Sequence, residues 1–472
     1  MKITVKKLIL RSSCFIIFLL LNTSCSSYKS NNLILDNLNI PESFSITNSS
    51  NYALEINKKW WHTINSDELN KLILKAFKNN PSLEQSWARL NQANTVALKK
   101  GASIYPSIDV GLDIIDQSSR NSQFNSNNWS SGIVSNYELD FWGKLYSIRS
   151  SAKLDALSAR YAYETAAITL SAEVALRWNN LIASKMEIKV LKKQLKANQT
   201  SLELIELRFK NSLATALDVF QQKQAVESIA ALIPIAERKK RIASLELSAL
   251  LGEINEQEIS SSSFPKIDPV PQLGLPIDVI SSRPDIKQAA ANLESADWLM
   301  NAAKMDRLPT IRLTGNYKSD GETASGLFDN WISSLAGNLI LPIFDGEKRR
   351  LEQERTEAIV LEKLSLYKQK TLRAIEEIET ALTLEQTQSE YNEALNIQFK
   401  AARNAYNEAI SRYRNGAVEY TTVLFQLNLL QQLERSVISA NSNLLSYRIA
   451  LHRAVGGSWM KELKLEDEYE KN

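Results

Sequence analysis

The chain carries nearly the same text twice, about 203 residues apart. Pro81, Gln85, Ala88, Leu90 and Ala93 return as Pro284, Gln288, Ala291, Leu293 and Ala296, and Pro106-Ser107-Ile108 returns as Pro309-Thr310-Ile311. Phe141-Trp142-Gly143 reappears as Phe344-Asp345-Gly346. After one residue of drift, Arg208-Phe209-Lys210-Asn211-Ser212 reappears as Arg412-Tyr413-Arg414-Asn415-Gly416. Solenoid repeats run to about 20 to 50 residues, so this period describes a duplicated, pseudo-symmetric unit rather than a stack.

Few residues punctuate it. Of 472 residues only 14 are Gly and 11 are Pro, well under the usual shares of roughly 7% and 5%, so long uninterrupted helices are expected. The formal charge of +3 owes its sign to the first 24 residues, where Lys2, Lys6, Lys7 and Arg11 meet no acid. Without them 52 bases face 53 acids. A near-neutral chain offers no bulk attraction for nucleic acid.

Residues 1–24 read as an export signal: a basic start, then the apolar run Cys14 to Leu21, shorter than the roughly 18 residues a spanning helix needs. Cleavage before Cys25 would leave that cysteine as a lipid anchor, with Ser24 as the small residue before it. Asn22 stands where a lipoprotein signal commonly has Leu. An ordinary signal peptide, with Cys25 an incidental thiol, is the alternative. Either way the mature chain keeps at most one cysteine, so an oxidising compartment would contribute no intramolecular disulfide. Residues 25–59 are an extended segment before the first repeat.

Four short segments have the period-2 rhythm of strands with one apolar and one polar face. In Ser107 to Ile114, Ile108, Val110, Leu112 and Ile114 are apolar. Trp129, Ile133, Tyr137, Leu139 and Phe141 form the second, and the duplicates run through Ile311, Leu313 and Tyr317 and through Trp331, Leu335, Leu339, Leu341 and Ile343. Polar loops, Asp116 to Asn128 and Lys318 to Asn330, separate each pair. Each repeat thus holds one hairpin, 105–142 or 309–345. Strands of this length can cross a bilayer when tilted. Four cannot close, and an open edge in hydrocarbon is prohibitively costly, so a membrane barrel would have to be shared among subunits. A soluble half-buried sheet is the alternative; aromatic residues near the strand ends favour the membrane.

The rest is helix. From Lys144 to Leu207 there is neither Gly nor Pro, and Val174, Leu181, Ile188, Leu195 and Leu202 recur every seven residues as a coiled-coil seam. At 1.5 Å per residue this is a rod of roughly 95 Å. A return helix follows the break at Asn211-Ser212. The second copy repeats the plan around Asn415-Gly416. The expected organisation is a first repeat over 60–251 with coiled-coil helices over 144–251, an irregular Ser/Pro-rich linker over 252–276, a second repeat over 277–459 with coiled-coil helices over 347–455, and a tail over 460–472.

Trp60-Trp61, Tyr137-Glu138-Leu139-Asp140-Phe141-Trp142-Gly143-Lys144, Gly274-Leu275-Pro276 with Arg283-Pro284-Asp285-Ile286, the two tip segments and Gly456-Gly457-Ser458-Trp459 are together specific. Over this span the chain resembles the TolC family of outer-membrane channels, in its lipoprotein branch paired with resistance-nodulation-division pumps. The resemblance implies a mainly α protein with a membrane β-barrel. Three subunits give four strands each to a shared 12-stranded barrel, and duplicated coiled-coil hairpins form an α-barrel across the periplasm. It implies a passive exit duct, anchored to outer-membrane lipid, driven by an inner-membrane pump through a periplasmic adaptor.

The family commonly closes its periplasmic end with residues just after each tip turn. An Asp is usual there, where this chain has Gln221 and Phe425; that places a candidate aperture at Thr421, Phe425, Asn428 and Gln221. Arg208, Asn211, Arg412, Asn415 and Gly416 are candidates for adaptor contact at the tips. Nothing suggests enzyme chemistry: His62 and His452 are the only histidines, no phosphate loop is present, and no cofactor or metal cluster is implied. Asp218 and Glu419 read as helix caps. A protein-secretion or metal-efflux duct, and a periplasmic coiled-coil tether without a pore, remain alternatives.

Overall fold

The computed structural model describes residues 41, 43–45, 59–118, 125–267, 273, 276–457 and 459; Cys25 and the 460–472 tail lie outside them. After a 3-10 turn at Trp60–Ile64 come α1 (Asp67–Asn79), α2 (Pro81–Ala102), β1 (Ser107–Ser118), β2 (Asn125–Leu139), α3 (Lys144–Lys210) and α4 (Ala216–Leu250). The second copy follows the same order: α5 (Pro276–Ser282), α6 (Pro284–Met305), β3 (Thr310–Gly321), β4 (Trp331–Ile340), α7 (Lys348–Arg414) and α8 (Tyr420–Val455). Helices α3 and α7 are 67 residues each. The described residues divide into two compact units.

One unit comprises Ala97–Leu154 and Asn292–Leu364 and carries the sheet. Its strands run antiparallel in the order β1-β2-β3-β4. The copies join at β2 and β3, with Trp129 opposite Gly321 and Leu139 opposite Ile311. Gly132 is needed in that ladder, because a Cβ there would fall 2.7 Å from the Tyr317 carbonyl oxygen. Among the described residues β1 and β4 each keep one edge unpaired. The loops are shorter than the polar composition predicts: β1 continues to Ser118, β2 begins at Asn125 and β3 continues to Gly321. Ladder bonds use only the backbone, so a strand continues through Ser, Asn and Asp once neither face has to be apolar.

Strand turns into helix alike in both copies, through Gly143 at φ +78° and Gly346 at φ +64°. Different carboxylates then cap the helices. Asp140 accepts from the Leu145 and Tyr146 amides at 2.9 and 2.7 Å, and Asp345 accepts from the Arg349 amide at 3.4 Å. Below the sheet, small polar side chains let α3 and α6 approach closely: Ser151 and Ser295 hydroxyls lie 2.9 Å apart, and Asn301 donates to Ser147 at 2.8 Å.

The other unit, the described parts of Asn37–Val96, Asp155–Ala291 and Ser365–Asn472, holds the main core. Trp61, Leu69, Ile73, Trp178, Leu181, Leu247, Leu445 and Trp459 are buried together. Trp61 meets Trp459 edge to face at 4.6 Å, so the two ends of the duplicated text close on one cluster. The seven-residue seam on α3 is fully buried only at Val174 and Leu181. Nearer the tip, burial passes to Ser184, Leu191, Asn198 and Ile205. These four are again seven residues apart, three on from Leu181, so the helix keeps the seven-residue period and burial passes from one seam position of the heptad to the other.

The linker is fastened to this core. Glu68 of α1 accepts from the Ser260 hydroxyl at 2.8 Å, the Ser261 amide at 3.3 Å and the Trp178 indole at 3.0 Å. Burial works to raise its pKa, but these bonds outweigh it and hold the carboxylate at about 2. Arg283 ties the start of α6 to the end of α8, donating to the Ala454 carbonyl at 2.6 Å while pairing with Asp285 and Glu377 at 2.8 and 2.7 Å.

Candidate functional site

Each long hairpin turns through the same motif. At the first tip the Leu213 amide donates to the Arg208 carbonyl at 2.8 Å and the Ser212 amide to Phe209 at 2.9 Å; at the second, Ala417 donates to Arg412 at 2.9 Å and Gly416 to Tyr413 at 3.0 Å. This is the Schellman pattern, with the pivot residue left-handed. Gly416 adopts φ +73° freely, whereas Ser212 adopts φ +59°, a conformation costing a side-chain-bearing residue roughly 1–2 kcal/mol.

The return helices start differently. Thr215 and Asp218 form a capping box on α4, the Asp218 amide donating to the Thr215 hydroxyl at 3.2 Å and the Thr215 amide to the Asp218 carboxylate at 2.8 Å. Glu419 occupies the corresponding place before α8, but its side chain caps no helical amide. It instead accepts from the Thr421 hydroxyl at 3.4 Å. Only the first of the two expected caps therefore works as one.

A buried polar chain locks the two tips together. Tyr420 donates its hydroxyl to the Gln222 carbonyl oxygen at 2.6 Å, and Gln222 donates to the Asn198 backbone carbonyl at 2.8 Å. Gln222 and Asn198 are completely buried. Around them pack Ile205, Ala225, Ala409, Val423 and Leu424. Tyr413 lies 5.4 Å from the Tyr420 ring, and the Arg208 guanidinium sits 4.8 Å over Tyr413. Burial pushes the Tyr420 phenol up, and the neighbouring Tyr406, Tyr413 and Asp218 add to it, so it stays a proton donor.

Of the candidate aperture residues, Thr421 is half-buried while Phe425 and Asn428 are exposed, Phe425 at 65%. Their spacing puts them on one face of α8, away from the buried Val423, Leu424 and Leu427. Gln221 is half-buried on α4, and its side-chain carbonyl oxygen is buried without a hydrogen-bond partner among the described residues. At the tips Asn211 donates to the Leu207 carbonyl at 2.8 Å, Arg412 pairs with Glu408 at 2.8 Å, and Asn415 and Gly416 are exposed. Sequence reasoning missed Asn198, Gln222, Tyr413 and Tyr420. One signal was available: Asn198 stands seven residues after Leu191 and seven before Ile205, a polar residue on a buried line.

Among the described residues no helix is long and apolar enough to cross a membrane. Ile108, Val110, Leu112 and Ile114 are all exposed at alternate positions of β1, and Leu335 and Leu339 are exposed on β4.

Comparison with known proteins agrees. The chain is 28% identical over 418 residues, 86% of its length and 89% of the relative's, to the pyoverdine export outer membrane protein OpmQ of Pseudomonas putida. It is 27% identical to the outer membrane protein OprJ of Pseudomonas aeruginosa over 85% of its length and 86% of the relative's. Solved structures of CusC and of the outer-membrane channel OprN each superpose with a TM-score of 0.82, at 21% and 22% identity. Both alignments cover 92% of this chain, with 99% of CusC and 98% of OprN. The profile of the family described as outer membrane efflux protein matches residues 72–253 and 275–457, one segment per copy, and the chain belongs to that family.

Proposed function

We propose that this chain is one subunit of a trimeric outer-membrane duct through which small molecules leave the cell, driven by an inner-membrane pump of the resistance-nodulation-division type and joined to it by a periplasmic adaptor. The observation carrying the reading is the four-stranded sheet, which among the described residues has two unpaired edges and exposes the apolar residues of its outer strands β1 and β4. Such a sheet enters a bilayer only as part of a closed barrel. Three copies supply 12 strands, a size that leaves room for a passage.

In this reading Cys25 carries the lipid anchor, the adaptor grips Arg208, Asn211, Arg412, Asn415 and Gly416, and Thr421, Phe425, Asn428 and Gln221 narrow the periplasmic end. Phe425 is the principal closing residue. An apolar ring closes by packing and dewetting, where a ring of carboxylates would close by charge and bound cations.

The test takes the mature protein from detergent-solubilised outer membranes and measures oligomer mass and single-channel conductance on one sample. A trimer with small or gated conductance supports the duct. A monomer or soluble dimer that never conducts overturns it in favour of a periplasmic tether.

A further inference from the structure

Above the tip turns, residues of α3, α4 and α8 line a cavity of about 650 Å³ within the helical unit, the size of a site for a drug-like molecule. Leu232, Ile242 and Ala243 of α4 and Ala183 of α3 give it an apolar side, and α8 gives it a largely polar one between Gln432 and Asn443.

Its orientation follows from the three helices that line it. On α8, the cavity residues Gln432, Ser436, Ser439 and Asn443 continue, at steps of three and four, the stripe that begins with Thr421, Phe425 and Asn428. On α3 and α4 the linker occupies the other side: Lys185 donates to the Ile259 carbonyl at 2.7 Å, Arg241 pairs with Glu256 at 2.9 Å, and the Ser244 hydroxyl donates to the Gln257 carbonyl at 2.8 Å. At 3.6 residues per turn, Glu187 of α3 and Lys239 and Ile242 of α4, which line the cavity, stand about half a turn from these linker contacts. The cavity therefore opens on the face turned away from the linker and shared with the candidate aperture. Arg435 lies roughly 15 Å along α8 from Phe425, at 1.5 Å per residue.

The charges around the cavity do not cancel. Glu187 and Glu246 are the acids that line it; Glu187 pairs with Lys239 at 3.2 Å, and Glu246 with Arg177 at 3.3 Å. Arg435 donates to the neutral Gln194 side-chain oxygen at 2.7 Å and has no salt-bridge partner among the described residues. Burial pulls its pKa down, although Glu187 and Glu434 act in the other direction. A guanidinium partly stripped of water, with donors to spare, gains from an acid group placed beside it.

We propose that this cavity binds a small amphiphilic anion, its carboxylate, sulfonate or phosphate on Arg435 and its apolar part against Leu232 and Ile242. A cationic ligand would find both lining acids already neutralised. In the duct reading the cavity lies in the tunnel wall just inside the closed end, once in each subunit, and would hold cargo of this class above the aperture. That placement rests on the duct reading; the cavity itself is formed within one subunit.

The test uses the full-length protein in nanodiscs and two fluorescent probes that differ by an acid group, anilinonaphthalene sulfonate and the uncharged N-phenylnaphthylamine. The sulfonate is expected to bind saturably above the level of empty nanodiscs, at one site per subunit. Arg435→Gln should weaken it about tenfold or more and leave the weaker binding of the neutral probe unchanged. Ser439→Trp, at an exposed position that keeps Arg435, should exclude both probes. A trimer by mass with no saturable sulfonate binding, or with binding that neither variant alters, overturns the site and leaves the duct intact. A monomer by mass that still binds the sulfonate through Arg435 keeps the site and overturns its place in a tunnel wall.

Discussion

Tyr420 donates its hydroxyl to Gln222 across 2.6 Å, joining the first residue of the second return helix to the first hairpin. Gln222 has no water to turn to. Tyr420→Phe would leave its carbonyl oxygen buried and unpaired, a loss of about 1–3 kcal/mol. Amide exchange at residues 195–225 and 405–430 is expected to quicken, with exchange around Trp61 and Trp459 unchanged. Uniform quickening would mean that the bond is no local lock.

Arg448 and Glu385 are both buried and paired, with a 2.6 Å bond from the guanidinium Nε. Burial raises the Glu385 pKa even though the Arg448 charge opposes it. Removing the cation strands the carboxylate. Arg448→Met is expected to cost about 3–5 kcal/mol, and Arg448→Met with Glu385→Leu much less, because two apolar side chains leave no buried charge behind. Chemical denaturation in detergent measures both; equal losses would show that the pair matters for shape and not for charge.

Much of this architecture is legible in the text. The repeat, the strand rhythm and the absence of Gly and Pro between residues 144 and 207 lead directly to two hairpins of strand and two of helix. What periodicity does not reveal is where a long helix changes its buried face. Val174 and Leu181 lie on the simple seven-residue seam of α3, yet Asn198 lies three residues off that line, and its partner Gln222 is on another helix, α4. A buried polar pair looks like an exposed one until the partner helix is in place. The same holds for Arg208, whose charge suggests a helix terminus or a partner but whose guanidinium rests on Tyr413.

His452 stacks on Trp60 with ring centroids 5.2 Å apart, inside the core. Complete burial, reinforced by the nearby Arg448 charge, depresses its pKa from 6.5 to about 3. The unfolded chain therefore takes a proton at pH values where the folded chain does not, and stability falls as pH drops from about 6.5 towards 3, by about 1.4 kcal/mol per pH unit. Glu385, with a raised pKa, works in the opposite sense, so the informative quantity is a difference. His452→Phe keeps the stacked ring and is expected to remove this loss between pH 6.5 and 5. Parallel stability curves for the two proteins would show that His452 is protonated in the fold.

Phe425 is exposed on α8 on the same face as Thr421 and Asn428. In a single subunit an exposed Phe of this kind is unfavourable by about 1.5–3 kcal/mol relative to a buried one, which an apolar ring of three would recover. Under the proposed aperture, Phe425→Ala opens that ring and raises resting conductance severalfold in a planar bilayer, in a trimer that still forms but has lost the packing of the ring. Phe425→Asp should also conduct more, but with cation selectivity and sensitivity to divalent ions, because a ring of carboxylates replaces a dewetting constriction. Unchanged conductance in both variants, with the trimer intact, would mean that the narrow point lies elsewhere on the tips.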